Sequence, residues 1–450
     1  MHPIQRSWAR AIILVMAVGH SLAANWPQYR GPSASGVDNS RPAPTEWKLE
    51  TGQNIAWQTP IPGLAHAAPI IWGNRVYVAT AVKPGAEALK VGLYGDIESV
   101  DDRDTYEWRL LALDRETGAV TWNQLAHTGI PRVKRHPKAT HCNSTPATDG
   151  QRIAALFGSE GLWCFDAAGK VLWKKDLGPM DSGYFESPSA QWGFASSPVL
   201  YDGKVIVQCD VQTNSFLAVF DATDGRDLWR TPRRDVPTWS TPTVVVAGGR
   251  TQIAVNGWHH TGGYDFVTGS ELWRLDGGGD IPVPTPVFAH DLIYFTSAHG
   301  RWRPVRAIRP NATGDITPAD PGQTNASIVW AQGRQGGYMQ TPIVVGDLLW
   351  SCTDSGVLTC FDAMSGVIKY SERLASGGGQ GYTASPVSDG RNLFFVSEIG
   401  NVFVVPAKAQ FAVLTFSSLG ETCLATPALS DGTLFFRTRS KLIAVKSKPQ

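Results

Sequence analysis

From about residue 55 onward the chain is a succession of short apolar runs broken by tight turns. "PIIWGNRVYVAT" at 69–80, "PVLYDGKVIVQCD" at 198–210, "PIVVGDLLWSC" at 342–352 and "PVSDGRNLFFVSE" at 386–398 share one pattern. Each pairs two alternating strands around Asp-Gly, Gly-Asn or Gly-Asp, residues that tolerate the backbone of a hairpin turn. A third strand and a second corner follow in "LLALDRETGAVTW", "LWCFDAAGKVLW", "FLAVFDATDGRDLW", "GGYDFVTGSELW" and "LTCFDAMSGVIKY". Here Asp can bond amides two residues on, Gly turns the corner, and an aromatic opens a fourth strand. No amphipathic helix of useful length interrupts the series.

The unit recurs. A small residue and a Pro mark its start at Pro69, Pro146, Pro198, Pro242, Pro286, Pro342, Pro386 and Pro427, with spacings of 77, 52, 44, 44, 56, 44 and 41. Four strands in about 40–45 residues is the period of a propeller blade. The sequence therefore predicts an all-β, eight-bladed β-propeller of four-stranded antiparallel blades. The last unit stops after its third strand, and "NIAWQTPIPG" at 54–63 supplies the missing fourth, carrying Trp57. Pairing these two segments closes the ring and removes open edges. Residues 25–450 then read as one propeller domain. The long spacings hold excursions at "KPGAEALKVGLYGDIESVDDRDTYEW" and "RPNATGDITPADPGQTNAS", and "MDSGYFESPSAQWGF" is long for a connection. Long loops on a rigid scaffold are candidate binding surfaces.

Composition narrows the class. Lys plus Arg number 40 against 39 acids, so no strong field recruits nucleic acid. Residues 1–24 carry Arg6 and Arg10, a short apolar stretch and small residues before position 24, the pattern of a cleaved secretory signal. Its removal takes two arginines and no acid, moving the formal charge from +1 to −1. No later segment is long enough to span a membrane as a helix. The expected location is periplasmic or secreted. Six cysteines then meet an oxidising compartment. Cys164 and Cys360 share one repeat position and Cys142 and Cys423 another, which suits buried free thiols better than bridges.

Residues just before each Pro should ring one mouth of the axis. In order these give His66, His141, Asn143, Gln191, Trp192, Trp239, Asp280, Tyr338, Gln340, Gln380, Tyr382 and Glu421. Aromatics with hydrogen-bonding polars suit a small polar, sugar-like or planar ligand. "WHH" at 258–260 matches no zinc spacing, and alternation sends His259 and His260 to opposite faces, so no metal ligand is assigned. His136 stands five residues before His141, again without a metal pattern. Glu398 and Asp280 form an acid/base pair only if the fold brings them together. No nucleophile elbow or zinc-protease motif occurs.

The repeat "TP…V…G…V…G…L..LD..TG...W" resembles the pyrroloquinoline-quinone (PQQ)-like propeller family, which includes quinoprotein alcohol dehydrogenases and BamB, over nearly all of residues 25–450. "NWPQYRGPSASGV", "GGGDIPVPTPV" and "YMQTP" are similar to an exported bacterial subfamily of it. The resemblance implies the fold. Its dehydrogenases bring PQQ with Ca²⁺ over a vicinal Cys–Cys disulfide, and no "CC" occurs here; BamB brings a lipidated Cys that is also lacking. No site residue is therefore carried across, and no cofactor is required by the sequence. Three functions stay open: an exported, non-catalytic scaffold for a small polar ligand or envelope protein; a divergent PQQ-dependent oxidoreductase or carbohydrate-active enzyme using residues such as His66, His141 and Glu421; and a BamB-like assembly partner.

Overall fold

The computed structural model describes residues 24–85, 87–94, 97–376 and 379–447. The expected leader lies almost wholly outside them. The described residues form eight sheets in chain order, each a four-stranded antiparallel blade, and no described helix is long and apolar enough to cross a membrane. Innermost strands neighbour one another round the ring, including blade eight back to blade one. The second and third strands of each blade are covered on both faces by adjacent blades, so they are mostly apolar and buried along nearly their whole length, as in Lys204–Cys209 and Phe216–Asp221. Outermost strands face solvent on one side and alternate, as Val171–Lys175 does.

Blade eight is closed by Ile55–Pro60 lying antiparallel on Lys441–Val445, with Trp57 opposite Ala444. Blade four gains a short parallel strand, Gly314–Asp315, from the 309–327 excursion, set against Glu271–Leu275.

The fourth-strand Trp works between blades. Trp57 Nε1 donates to Arg115 O in blade one (2.9 Å), and its ring lies where a side chain on Gly118 would be. Trp173 to Ala222 O (3.0 Å), Trp229 to Phe266 O (3.1 Å) and Trp330 to Ala363 O (2.8 Å) repeat the contact. Each Trp thus docks on the Asp–Gly corner of the next blade. Blade seven has no Trp in Thr415–Ser418; Trp47, arriving from the start of the chain, substitutes for it. Its Nε1 donates to Ser418 O and its ring meets Phe436 at 5.5 Å.

The residue before each Pro has a task that the sequence pattern did not disclose. Its hydroxyl accepts the amide of the equivalent residue one blade back: Ala68 N to Thr145, Thr145 N to Ser197, Ser197 N to Thr241, Thr241 N to Thr285, Thr285 N to Thr341, Thr341 N to Ser385 and Ser385 N to Thr426, at 2.9–3.3 Å. Seven such bonds encircle the axis. The circle breaks where Ala68 offers no hydroxyl.

One end of the axis is stoppered. Trp26 exchanges both backbone bonds with Ile71, and the chain then crosses to a bridge between Val37 and Ser388. On the way the Arg30 guanidinium, fully buried, donates to the carbonyls of Ala34, Ser35, Pro342 and Pro386. Burial without a carboxylate partner pushes its pKa down to about 10. Gly36 is needed beside it, because a Cβ there would stand 2.5 Å from the guanidinium.

Candidate functional site

At the other end the ring opens into a cavity of about 560 Å³. Its floor is the hydroxyl circle, through Thr145, Ser197, Thr241, Thr285 and Thr426, with Tyr29 beside them. Tyr29 OH lies 3.1 Å from Ser385 Oγ, so the stopper supplies part of the floor. Ile281, Val283 and Leu424 make the lower wall apolar.

Above the floor six side chains close a belt. Tyr94 meets His136 (5.6 Å between centroids), His136 meets Trp192 (5.7 Å), and Trp192 stacks on Tyr184 (5.9 Å, 15°). Tyr184 meets His299 (6.0 Å), His299 stacks on Tyr338 (5.8 Å, 30°), and Tyr338 returns to Tyr94 (5.6 Å). All six line the cavity. Trp239 backs the belt at 5.8 Å from Trp192, its Nε1 donating to Gly193 O (2.7 Å). Burial raises the pKa of Tyr94 and Tyr338, and that of Tyr184 to about 12, so the phenols are neutral and can donate.

Tyr94 is held by a strut across the mouth. The Lys138 ammonium donates to Glu398 Oε1 (2.7 Å) and sits over the Tyr94 ring at 3.6 Å from its centroid. Glu398 also accepts from Thr383 Oγ1 (2.5 Å) and from Gly92 N (2.7 Å), and Tyr94 OH reaches Thr383. A loop of blade one is thereby fastened to blade seven. Its base is fixed by Arg135, which bonds Asp102 (2.8 Å) and Glu87 (3.3 Å).

The histidines differ in state. His66 Nε2 donates to Lys138 O (2.8 Å); burial first, then Arg437, Arg135 and Lys138, push its pKa down to about 4, so it is neutral at pH 7. His136 accepts the Lys138 N–H at Nδ1 (3.0 Å), which places its proton on Nε2. His299 Nδ1 faces Asp280 Oδ1 at 2.6 Å, leaving Nε2 as the acceptor of the neutral ring. The His299 backbone is left-handed, φ 83°, a conformation that costs a non-glycine residue about 1–3 kcal/mol. Such an orienting carboxylate and strained backbone suit a group that takes a proton.

Of the residues expected at the mouth, His66, Asn143, Trp192, Trp239 and Tyr338 line the cavity. Asp280 stands behind His299. The others serve elsewhere. His141 bonds Asp102 (3.0 Å) in the ion network, and Gln191 accepts Lys134 N–H (3.1 Å). Gln340 donates to Ala384 O (2.8 Å), and Tyr382 is buried against Phe403. Gln380 lies two residues from it and does not line the cavity, and Glu421 bonds Thr438 and Ser440 at the surface. Glu398 and Asp280 have separate partners. "WHH" wraps a buried carboxylate: the amides of Trp258, His259 and His260 all donate to Asp235.

Tyr94, His299, Arg303 and Asp354 were not expected at the mouth, Glu398 was named only as half of an acid/base pair, and the five share a cause. They sit between the second and third strands of blades one, five, six and seven. In an antiparallel blade that connection emerges at the same end as the entry to the first strand. "SAHGRW", "TDSG" and "SEIG" were the available signals.

A model of the family described as "Outer membrane protein assembly factor BamB" matches residues 37–184 and 109–372. No curated protein matches the chain. Among solved structures, BamB from Moraxella catarrhalis superposes with a TM-score of 0.53 at 13% identity, over 81% of this chain and 98% of that one. Quinohemoprotein alcohol dehydrogenase from Comamonas testosteroni gives 0.61 at 12%, over 95% and 81%. A europium-containing methanol dehydrogenase gives 0.51 at 12%, over 93% and 90%. At these identities the likeness is one of fold.

Proposed function

The chain belongs to the family described as outer membrane protein assembly factor BamB, and from that premise we propose that it is an exported propeller that binds a small polar, sugar-sized ligand in the axial cup. The observation that carries this reading is the closed aromatic belt above a floor of hydroxyls. Ring faces cover the apolar face of a sugar or planar ligand, while hydroxyls and neutral phenols answer its polar edge. A volume of about 560 Å³ suits a ligand of that size. The leader-like residues 1–24 support export.

A calcium-bound quinone, the group that the dehydrogenase likeness suggests, does not fit these side chains. Among the described residues no three His, Cys, Asp or Glu side chains converge to hold a metal. Asp354 is the carboxylate on the described lining, since Glu398 is committed to Lys138 and Asp280 to His299. All six cysteines are buried free thiols, none adjacent to another in sequence, so no vicinal disulfide can form beneath a planar cofactor.

A catalytic reading has one observation in its favour, the Asp280–His299 dyad on the wall of the same cup. On this reading His299 Nε2 accepts a proton from a bound hydroxyl and Asp280 stabilises the imidazolium. Sugar turnover present in wild type and abolished in His299→Ala, with binding retained, would establish it.

The binding reading is tested by tryptophan fluorescence and thermal shift with neutral mono- and disaccharides, and with PQQ plus Ca²⁺, on wild type and Trp239→Ala. A saturable response to a sugar, weakened about tenfold in the variant, is expected from loss of one aromatic face. Absence of any saturable sugar response, or a response to PQQ and Ca²⁺ alone, overturns it.

A further inference from the structure

We infer that the ligand of this cup carries an organic ammonium group, and that Asp354 is the side chain that recognises it. This rests on the proposed reading of the cup as a binding site and adds the sign of the ligand's charge.

The Lys138 ammonium is matched by Glu398, both about 1% exposed. His66 is neutral, and His136 Nδ1 accepts the Lys138 amide. His299 has Asp280. Arg303 lines the cavity from an exposed position at the rim, where water screens it. Asp354 is different. It is half-buried, lines the cavity, and its carboxylate has neither an ion pair nor a hydrogen bond among the described residues.

Its position is nonetheless fixed. Asp354 O accepts the amide of Tyr382 (3.0 Å), and the corner Thr353–Gly356 is tied by Thr353 Oγ1 to Ser355 and Val357. Its charge reaches two members of the belt: after burial, Asp354 is among the groups that raise the pKa of Tyr94, and it is the leading neighbour for Tyr338. A lone carboxylate beside rings whose faces are electron-rich is the environment that attracts an organic cation. Tyr94 already holds one ammonium, that of Lys138, over its face. A neutral sugar leaves the Asp354 carboxylate partly desolvated and unmatched; an ammonium group supplies its partner.

The test compares ligands of one shape and two charges. Isothermal titration is run with choline against its neutral tert-butyl isostere, and with D-glucosamine against D-glucose, on wild type and Asp354→Asn. Expected is tighter binding of at least one cationic member by about tenfold or more, and loss of that preference in Asp354→Asn. Neutral sugars should bind wild type and variant alike. Equal binding of cationic and neutral members, or a preference that survives in Asp354→Asn, overturns the inference while leaving the binding reading intact. If neither charge class binds wild type, the binding reading falls first. The wild-type ratio needs no variant, so a folding defect in Asp354→Asn does not shield the claim.

Discussion

Consider the strut that carries Tyr94. Glu398→Gln keeps the shape of the side chain and removes the charge that stands 2.7 Å from the buried Lys138 ammonium. Breaking one side of a buried pair costs about 3–5 kcal/mol, because the remaining charge stays out of water and loses its Glu398 carboxylate, keeping Gly92 O and the Tyr94 ring. An unfolding entropy of about 2.1 cal/mol/K per residue over 450 residues turns this into a fall in Tm of about 3–5 °C. Lys138→Met should cost a similar amount, since Glu398 would retain only Thr383 and Gly92. The double variant removes both charges and lets methionine fill the space against Tyr94, so its loss should be far smaller than the two combined. Urea midpoints and thermal melts of the four proteins give the coupling, expected at about 2 kcal/mol or more. Additive losses would contradict this coupling: the pair would then be two independent contacts, and Tyr94 would be positioned by something else.

The other predictions concern the ring and its acidity. Thr241→Val leaves Ser197 N–H buried without its 3.0 Å acceptor and should lower Tm by about 1–3 °C, the cost of one orphaned donor; Ala68→Ser, which offers the missing eighth hydroxyl, should raise it by up to about 1 °C. Trp57→Ala empties the wedge between blades eight and one, at about 3–5 kcal/mol, and should expose the terminal strand Ile55–Pro60 to proteolysis first. For His66 the folded pKa of about 4 lies below the unfolded 6.5, so the unfolded chain binds the proton more readily. Its contribution is complete above pH 6.5 and lost as pH falls from there towards 4. Stability of wild type minus His66→Asn, measured by denaturation across that window, should show this slope; a flat difference would contradict it.

The architecture was legible because a repeat states its rule several times over. Thr-Pro, Asp–Gly and Trp recur in phase, and each proves to be one side of a contact between successive blades. The partners themselves were not legible. Nothing in "STP" says that the hydroxyl serves the preceding blade rather than the Pro beside it, and nothing in "TGxxxW" says that the indole covers the next blade's glycine. The site was read only in part for a similar reason. Scanning before each Pro finds Trp192 and Tyr338 of the belt, but its other four members, Tyr94, His136, Tyr184 and His299, come from loops whose length differs from blade to blade, where no repeat exists to compare. Tyr94 lies within an excursion of 23 residues between Val82 and Tyr106, and only its tie to Glu398, more than 300 residues on, places it over the cup.

The segment from Trp26 to Val37 changes what the axis can do. An open propeller axis is a channel, with solvent at both ends and ligand held only by its walls. Here Trp26 to Val37 fills one end, and Arg30 there has four carbonyl acceptors and no carboxylate among the described residues. A buried guanidinium so satisfied holds backbone carbonyls of blades six and seven to the segment that crosses them, so the stopper is part of the ring. The axis thereby becomes a cup with one mouth, and every polar group on its floor faces the same small volume. That asymmetry explains why the belt, the strut and Asp354 all gather at one end. A ligand there meets aromatic walls, hydroxyls below and a single route out past the Tyr94 loop, so its residence should depend on how firmly Lys138 and Glu398 hold that loop. Dissociation of any bound ligand should therefore quicken in Glu398→Gln even where no side chain touching the ligand has changed.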